Sequence, residues 1–169
     1  ITSLGNAISG NGNPNRGNTT ITINSGCIES TNDVAIYQPQ EGTLTITGGT
    51  ITGKTAIGIK TGILNISGSP VITGTGEYKN TTPYCDGIEA DGSAILIESN
   101  DKYIGNLTAT IDGTPEISST YAYAIKETVY KNPKTNVVSE EHLETIKNYT
   151  RKIAEELHVK GLMNMQYAI

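Results

Sequence analysis

Neither phenylalanine nor tryptophan occurs in this chain of 169 residues, and only two cysteines do. A core without large aromatic rings must be filled by Ile, Leu and Val, which suits a narrow stack of small side chains better than a thick sandwich. Two cysteines, Cys27 and Cys85, make no disulfide framework. A single bridge and two free thiols both remain open readings. Basic residues are also scarce, 12 against 17 acidic ones for a net charge of −5, and Arg16 and Arg151 are the two arginines. Phosphate binding needs a basic surface, so nucleic acid is excluded as the main partner. No apolar run approaches the roughly 20 residues that span a bilayer, and no stretch reads as a signal peptide.

What is present in abundance is glycine, 19 residues, and a repeat. Thr20-Ile21-Thr22-Ile23-Asn24-Ser25-Gly26-Cys27-Ile28 is followed by Ala35-Ile36, and Thr43-Leu44-Thr45-Ile46-Thr47-Gly48-Gly49-Thr50-Ile51 by Ala56-Ile57. Ile63-Leu64-Asn65-Ile66 through Val71-Ile72 is followed, after an insertion, by Gly87-Ile88. Leu107-Thr108-Ala109-Thr110-Ile111 leads to Ile117 and Ala124-Ile125, and Ile1 with Ala7-Ile8 makes a partial first unit. Alternation such as Leu44-Thr45-Ile46 puts the apolar residues on one strand face and the threonine on the other. Ile23 to Ile46 is 23 residues and Ile46 to Ile66 is 20. That is too short for a strand-helix-strand unit and suits one turn of a solenoid with three short strands.

The sequence therefore predicts an all-β, right-handed, three-sided parallel β-helix of about four or five coils over residues 1 to 130. Stacking the coils about 4.8 Å apart places isoleucine over isoleucine and closes the backbone ladders. Glycines at Gly26, Gly48-Gly49 and Gly68 mark the corners. An antiparallel sandwich of short strands is the weaker reading, because sandwiches need no fixed period near 20. Three polar stretches interrupt the coils: 10 to 18, 74 to 86 and 99 to 105. The last two carry Tyr78, Tyr84 and Tyr103. Together these rings form a candidate aromatic platform for a sugar, since tyrosine offers an apolar face with a polar edge. Covering the inserted loops themselves is the alternative role for them.

This part resembles the Thr/Gly/Ile-rich β-helix segments of bacterial cell-surface proteins, in which units such as Thr43-Leu44-Thr45-Ile46-Thr47-Gly48-Gly49-Thr50-Ile51-Thr52-Gly53 recur. The resemblance implies a noncatalytic stalk, display at the bacterial surface, and adhesion or contact with a polysaccharide or host glycan.

After a linker at 131 to 138 the chain changes character. Residues 139 to 169 are richer in charge and hold one glycine, Gly161. Ser139-Glu140-Glu141 is a helix start, with a capping serine and acidic residues in the first turn. Leu143, Ile146, Thr150, Ile153 and Leu157 form one stripe, which predicts an amphipathic helix over 140 to 157. Residues 162 to 169 read as a strand. Ser139-Glu140-Glu141-His142-Leu143 through Gly161-Leu162-Met163-Asn164-Met165-Gln166-Tyr167-Ala168-Ile169 resembles the ATP-grasp domain of the carbamoyl-phosphate synthase large subunit. The resemblance implies that Gln166 faces a magnesium ion at the phosphates of ATP, and it implies a cytoplasmic parent. The glutamate and asparagine that complete the family's metal site are not among these residues. ATP and magnesium are therefore expected as cofactors only within a complete ATP-grasp domain, since one amide does not satisfy Mg²⁺. A second expected role for 139 to 169 is to cap the open end of the solenoid, whose ends expose unpaired backbone.

Catalysis on the β part would have to use Asp86-Gly87-Ile88-Glu89-Ala90-Asp91, the densest acidic cluster. Alternation places Glu89 and Asp91 on one outer face, where paired carboxylates serve glycoside hydrolysis or bind calcium. A polysaccharide lyase also wants a basic residue beside them, and no arginine is near in sequence. His142 and His158 are too far apart for zinc-ligand spacing and have no cysteine close by. No phosphate-binding glycine loop is present.

Overall fold

The computed structural model describes residues 1–10, 18–81, 87–100, 107–130 and 140–156. The alternating segments form strands because β-branched side chains suit a pleated surface and their apolar members share one side. In chain order these are β1 (Thr2–Ser3), β2 (Ile8–Ser9) and β3 (Thr19–Ile23), then β4 (Cys27–Ser30), β5 (Val34–Gln38) and β6 (Gly42–Ile46). They continue with β7 (Thr50–Gly53), β8 (Thr55–Ile59), β9 (Gly62–Ile66), β10 (Val71–Gly74), β11 (Ile95–Asn100) and β12 (Leu107–Ile111). A last partial round holds β13 (Glu116–Ser119) and β14 (Ile125–Tyr130). Among the described residues the one helix is α1 (Glu140–Glu156).

The strands build three sheets, ordered β1-β4-β7-β10-β13, β2-β5-β8-β11-β14 and β3-β6-β9-β12. The chain visits them in strict rotation, and each pairing is parallel. Every third strand thus lies on the one before it. This is the arrangement that the 20-to-23-residue spacing of Ile23, Ile46 and Ile66 requires.

Register turns the repeat into columns. Ile28, Ile51, Ile72 and Ile117 are successive partners on the first sheet. Ile8, Ile36, Ile57, Ile95 and Ile125 are partners on the second, and Ile23, Ile46, Ile66 and Ile111 on the third. The middle members are buried and form one apolar cluster. Each contributes about 1.5–3 kcal/mol relative to an exposed side chain. Exposure rises at the ends, to 68 % at Ile1, 40 % at Ile111 and 43 % at Ile125.

Two expectations need correction. Ile88 does not take the column position after the insertion; Ile95 does, opposite Ile57. The insertion between β10 and β11 is therefore longer than the sequence pattern implied. Its Ile88 packs on the outer side of the second sheet, where a methyl group placed on Gly58 would lie 2.3 Å from Ile88 Cδ1. A bare glycine at position 58 lets this outer layer approach the strand. Val34 and Leu96, buried on the same sheet, add to the apolar contact surface.

Two compact units divide the chain, Ile1–Lys131 and Asn132–Ile169. Within the second, α1 exposes Glu144, Lys147, Asn148, Arg151 and Lys152. Lys147 Nζ lies 2.7 Å from Glu144 Oε1 one turn earlier. No helix among the described residues is long and apolar enough to cross a membrane. The strand expected at 162 to 169, and Gln166 in it, lie outside the described residues.

Candidate functional site

The outer side of the second sheet gathers the charged and aromatic residues. Strand parity explains why. Ile36, Ile57, Ile95 and Ile125 face inward, so their neighbours Tyr37, Gly58, Leu96 and Lys126, which are partners in register, face outward. The described residues of the insertion between β10 and β11 bring Ile88 to this same side and Asp91 to Lys126.

Asp91 is 0 % exposed and fully engaged. Its Oδ1 accepts from Thr55 Oγ1 at 3.1 Å and from the Ser93 amide at 2.9 Å. Its Oδ2 accepts from Ser93 Oγ at 3.2 Å and forms an ion pair with Lys126 Nζ at 2.8 Å. Thr55 Oγ1 in turn accepts from the amides of Asp91 and Gly92 at 3.0 and 3.2 Å. Burying a carboxylate is costly unless it is paired and hydrogen-bonded, and here every lone-pair direction has a donor. The cluster pins the end of the insertion to β8 and β14. A second buried ion pair joins Lys60 and Glu98, two residues beyond the outward Gly58 and Leu96.

Lys126 also faces an aromatic ring. Its Nζ lies 5.3 Å from the centroid of Tyr78, within cation–π range. Tyr78 meets Tyr123 edge to face, with centroids 5.7 Å apart and planes at 82°. Tyr78 is 45 % exposed and Tyr123 54 %. Lys79, beside Tyr78, is tied down by its backbone N–H, which donates a hydrogen bond to the Asp91 carbonyl at 3.0 Å, and its side chain reaches Glu89 at 3.4 Å on the surface.

Of the residues singled out in the sequence, Tyr78, Glu89 and Asp91 fall in this region. Tyr84 and Tyr103 lie outside the described residues. Glu89 and Asp91 do not share an outer face, which corrects the alternation argument. Residues 87–90 are not a strand, so alternation does not apply there, and Asp91 turns inward to Lys126 while Glu89 stays exposed. The carboxylates therefore present no exposed pair. Cys27 is a free, exposed thiol, and Cys85 is outside the described residues. No group of three or more metal-ligating side chains occurs among the described residues.

Sequence reasoning missed Tyr123 and Lys126. The signal was available: Lys126 follows the column residue Ile125, so it must face the insertion, and Tyr123 stands at the corner just before that strand.

No protein-family model matches the chain, and no solved structure matches it. Among curated proteins, the chain is similar to the carbamoyl phosphate synthase large chain of Methanothermobacter thermautotrophicus, with 39% identity over 84 residues. The match takes in 50% of this chain and 7% of the relative, so the chain spans a small fraction of that protein's length.

Proposed function

We propose that residues 139 to 169 are a piece of ATP-grasp machinery of the carbamoyl-phosphate synthase kind. The observation behind this is the 39% identity over 84 residues with the archaeal large chain, a stretch that also takes in residues before 139. Helix α1 stands where that resemblance needs a helix, ahead of the Gly161-Leu162-Met163-Asn164-Met165-Gln166 motif. In this reading Gln166 offers its amide oxygen to a magnesium ion at the ATP phosphates, beside a glutamate and an asparagine from the rest of the domain, and the parent enzyme is cytoplasmic. The test is a segment exchange. Residues 139 to 169 replace the matching stretch of the archaeal large chain, and ATP-dependent formation of carbamoyl phosphate is measured. The hybrid is expected to keep most of its activity and to lose it on Gln166→Ala. A folded but inactive hybrid would overturn the assignment.

The unit before it has a different role in this proposal. Three parallel sheets visited in rotation are read as a right-handed, three-sided β-helix, joined to the ATP-grasp piece through residues 131 to 138. Its interior is lined by isoleucine columns, and this supports the reading of a noncatalytic scaffold that offers its outer surface. The exposed tyrosine pair on the second sheet favours a carbohydrate-contacting or adhesive surface over a bare stalk. Retention of the chain on immobilised polysaccharides tests this second reading.

A further inference from the structure

We infer that Tyr78 and Tyr123, standing on the Lys126–Asp91 ion pair, form a binding corner for a single neutral sugar ring. This rests on the carbohydrate-surface reading of the β unit and makes it specific. The two rings come from separate segments, one after β10 and one before β14, and meet at 5.7 Å and 82°. Perpendicular rings do not make a flat platform for an extended chain. They make a notch that touches a guest ring on one face and along one edge, which suits one pyranose at a chain end or branch.

The notch is built before any ligand arrives. Lys126 Nζ lies 5.3 Å from the Tyr78 centroid and is held at 2.8 Å by Asp91 Oδ2. Asp91 is itself locked by Thr55 and Ser93. The hydrogen bond from the Lys79 backbone N–H to the Asp91 carbonyl holds the backbone next to Tyr78. Side chains already ordered in the free protein lose little further entropy on binding. Yet both tyrosines remain about half exposed, although each is large and apolar across its face.

Charge selects the class of sugar. The Lys126 cation is neutralised by Asp91, and the exposed Lys79 is paired with Glu89. Among the described residues of this cluster both cations, Lys126 and Lys79, already face a carboxylate, which disfavours a uronic acid or a phosphate, while hydroxyl groups can bond to the tyrosine phenols and to the Lys79–Glu89 pair. A role limited to shielding the ion pair from water would make the tyrosines matter for stability and leave sugar binding untouched.

The experiment uses the full chain in affinity electrophoresis through gels containing a glucan, a mannan, a galactan or polygalacturonate. At least one neutral polysaccharide is expected to retard the wild type, and polygalacturonate is not. Tyr123→Ala is expected to weaken that binding about tenfold, equivalent to about 1.4 kcal/mol, while Tyr123→Phe and Tyr78→Phe keep most of it. Thermal unfolding of each variant checks that the fold is intact. Wild-type binding that Tyr123→Ala leaves unchanged would overturn the corner and leave the carbohydrate surface standing. Retardation by polygalacturonate alone would overturn the neutral-sugar assignment. No retardation by any gel would overturn both the corner and the surface reading.

Discussion

Gly26 and Gly49 offer a clean separation of backbone strain from packing. They are adjacent in the stack, since Cys27 pairs with Thr50, and they adopt nearly the same conformation, φ 96° and 90°. An alanine at either site therefore carries the same conformational cost, about 1–2 kcal/mol for an L-residue at positive φ. The surroundings differ. A Cβ on Gly26 meets nothing within 4 Å, whereas one on Gly49 lies 2.8 Å from the Gly26 carbonyl oxygen and 3.0 Å from the Ser25 carbonyl carbon. Those are backbone atoms, and the Gly26 oxygen accepts from the Thr50 amide at 2.8 Å. Relief of the overlap must lengthen that ladder bond and lift one coil from the next, at about 1–3 kcal/mol for an overpacked site. Gly26→Ala is thus expected to cost about 1–2 kcal/mol, and Gly49→Ala about 2–5 kcal/mol. Urea unfolding followed by circular dichroism reads both, with an unchanged dependence on denaturant showing that the same surface is exposed. Equal losses for the two variants would refute the stacking argument, because the register puts a neighbour above one glycine and not the other.

Two further outcomes follow from the charged groups. Asp91→Ala strips the partner from the mostly buried Lys126 and three other donors, and is expected to cost about 3–5 kcal/mol in chemical unfolding; Asp91→Asn, which keeps an acceptor toward Ser93 but loses the charge, costs less, and no loss at all for Asp91→Asn would mean that the charge is irrelevant. On α1, the hydrogen bond from Lys147 holds the Glu144 carboxyl below the usual glutamate range, its charge and then that of Arg151 adding to the effect. A depressed acid supports the folded form above its ordinary pKa and loses that support as pH falls through the lowered value. The far-UV helix signal is therefore expected to decline across that acidic window, and Glu144→Gln to flatten the decline; an unchanged pH profile in the variant would count against the pair.

The columns were legible because an inward position tolerates little but Ile, Leu or Val, and a fixed spacing of such residues survives in the chain even where turns vary. Ile23, Ile46 and Ile66 carry that periodic signal, and the three parallel sheets follow it. The same reasoning failed at the insertion. Gly87-Ile88 looks like the Ala56-Ile57 pair, but Ala94-Ile95 takes its place in the stack. A small residue followed by isoleucine specifies burial and not which side of the sheet is buried; here Ile88 is accommodated by the missing Cβ of Gly58 on the outer side. Asp91 was read as a surface residue for a related reason. Alternation presumes a strand, and a carboxylate in an irregular segment turns toward whatever donors the fold brings to it. Those donors, Thr55 and Lys126, are 36 and 35 residues away in sequence. Gln166 lies outside the described residues, and its reading rests on the motif alone.

In sheets of stacked parallel strands each strand is stabilised by its neighbours, so much of the apolar burial lies in the columns. The tyrosine corner draws nothing from them. Tyr78, Tyr123, Lys126 and Asp91 all lie outside the inward positions, on the insertion, at the corner before β14 or on the outward face of that strand. Their placement nevertheless depends on the repeat. The rotation of the chain through three sheets brings the residue after Ile125 to the same side as the segment after Gly74, and the register of β11 on β8 and β14 fixes how far apart they stand. On the proposed reading, a substitution at Tyr123 therefore alters sugar contact without disturbing the columns, whereas a slip of β14 by one residue would turn Lys126 inward and dismantle ion pair and corner together.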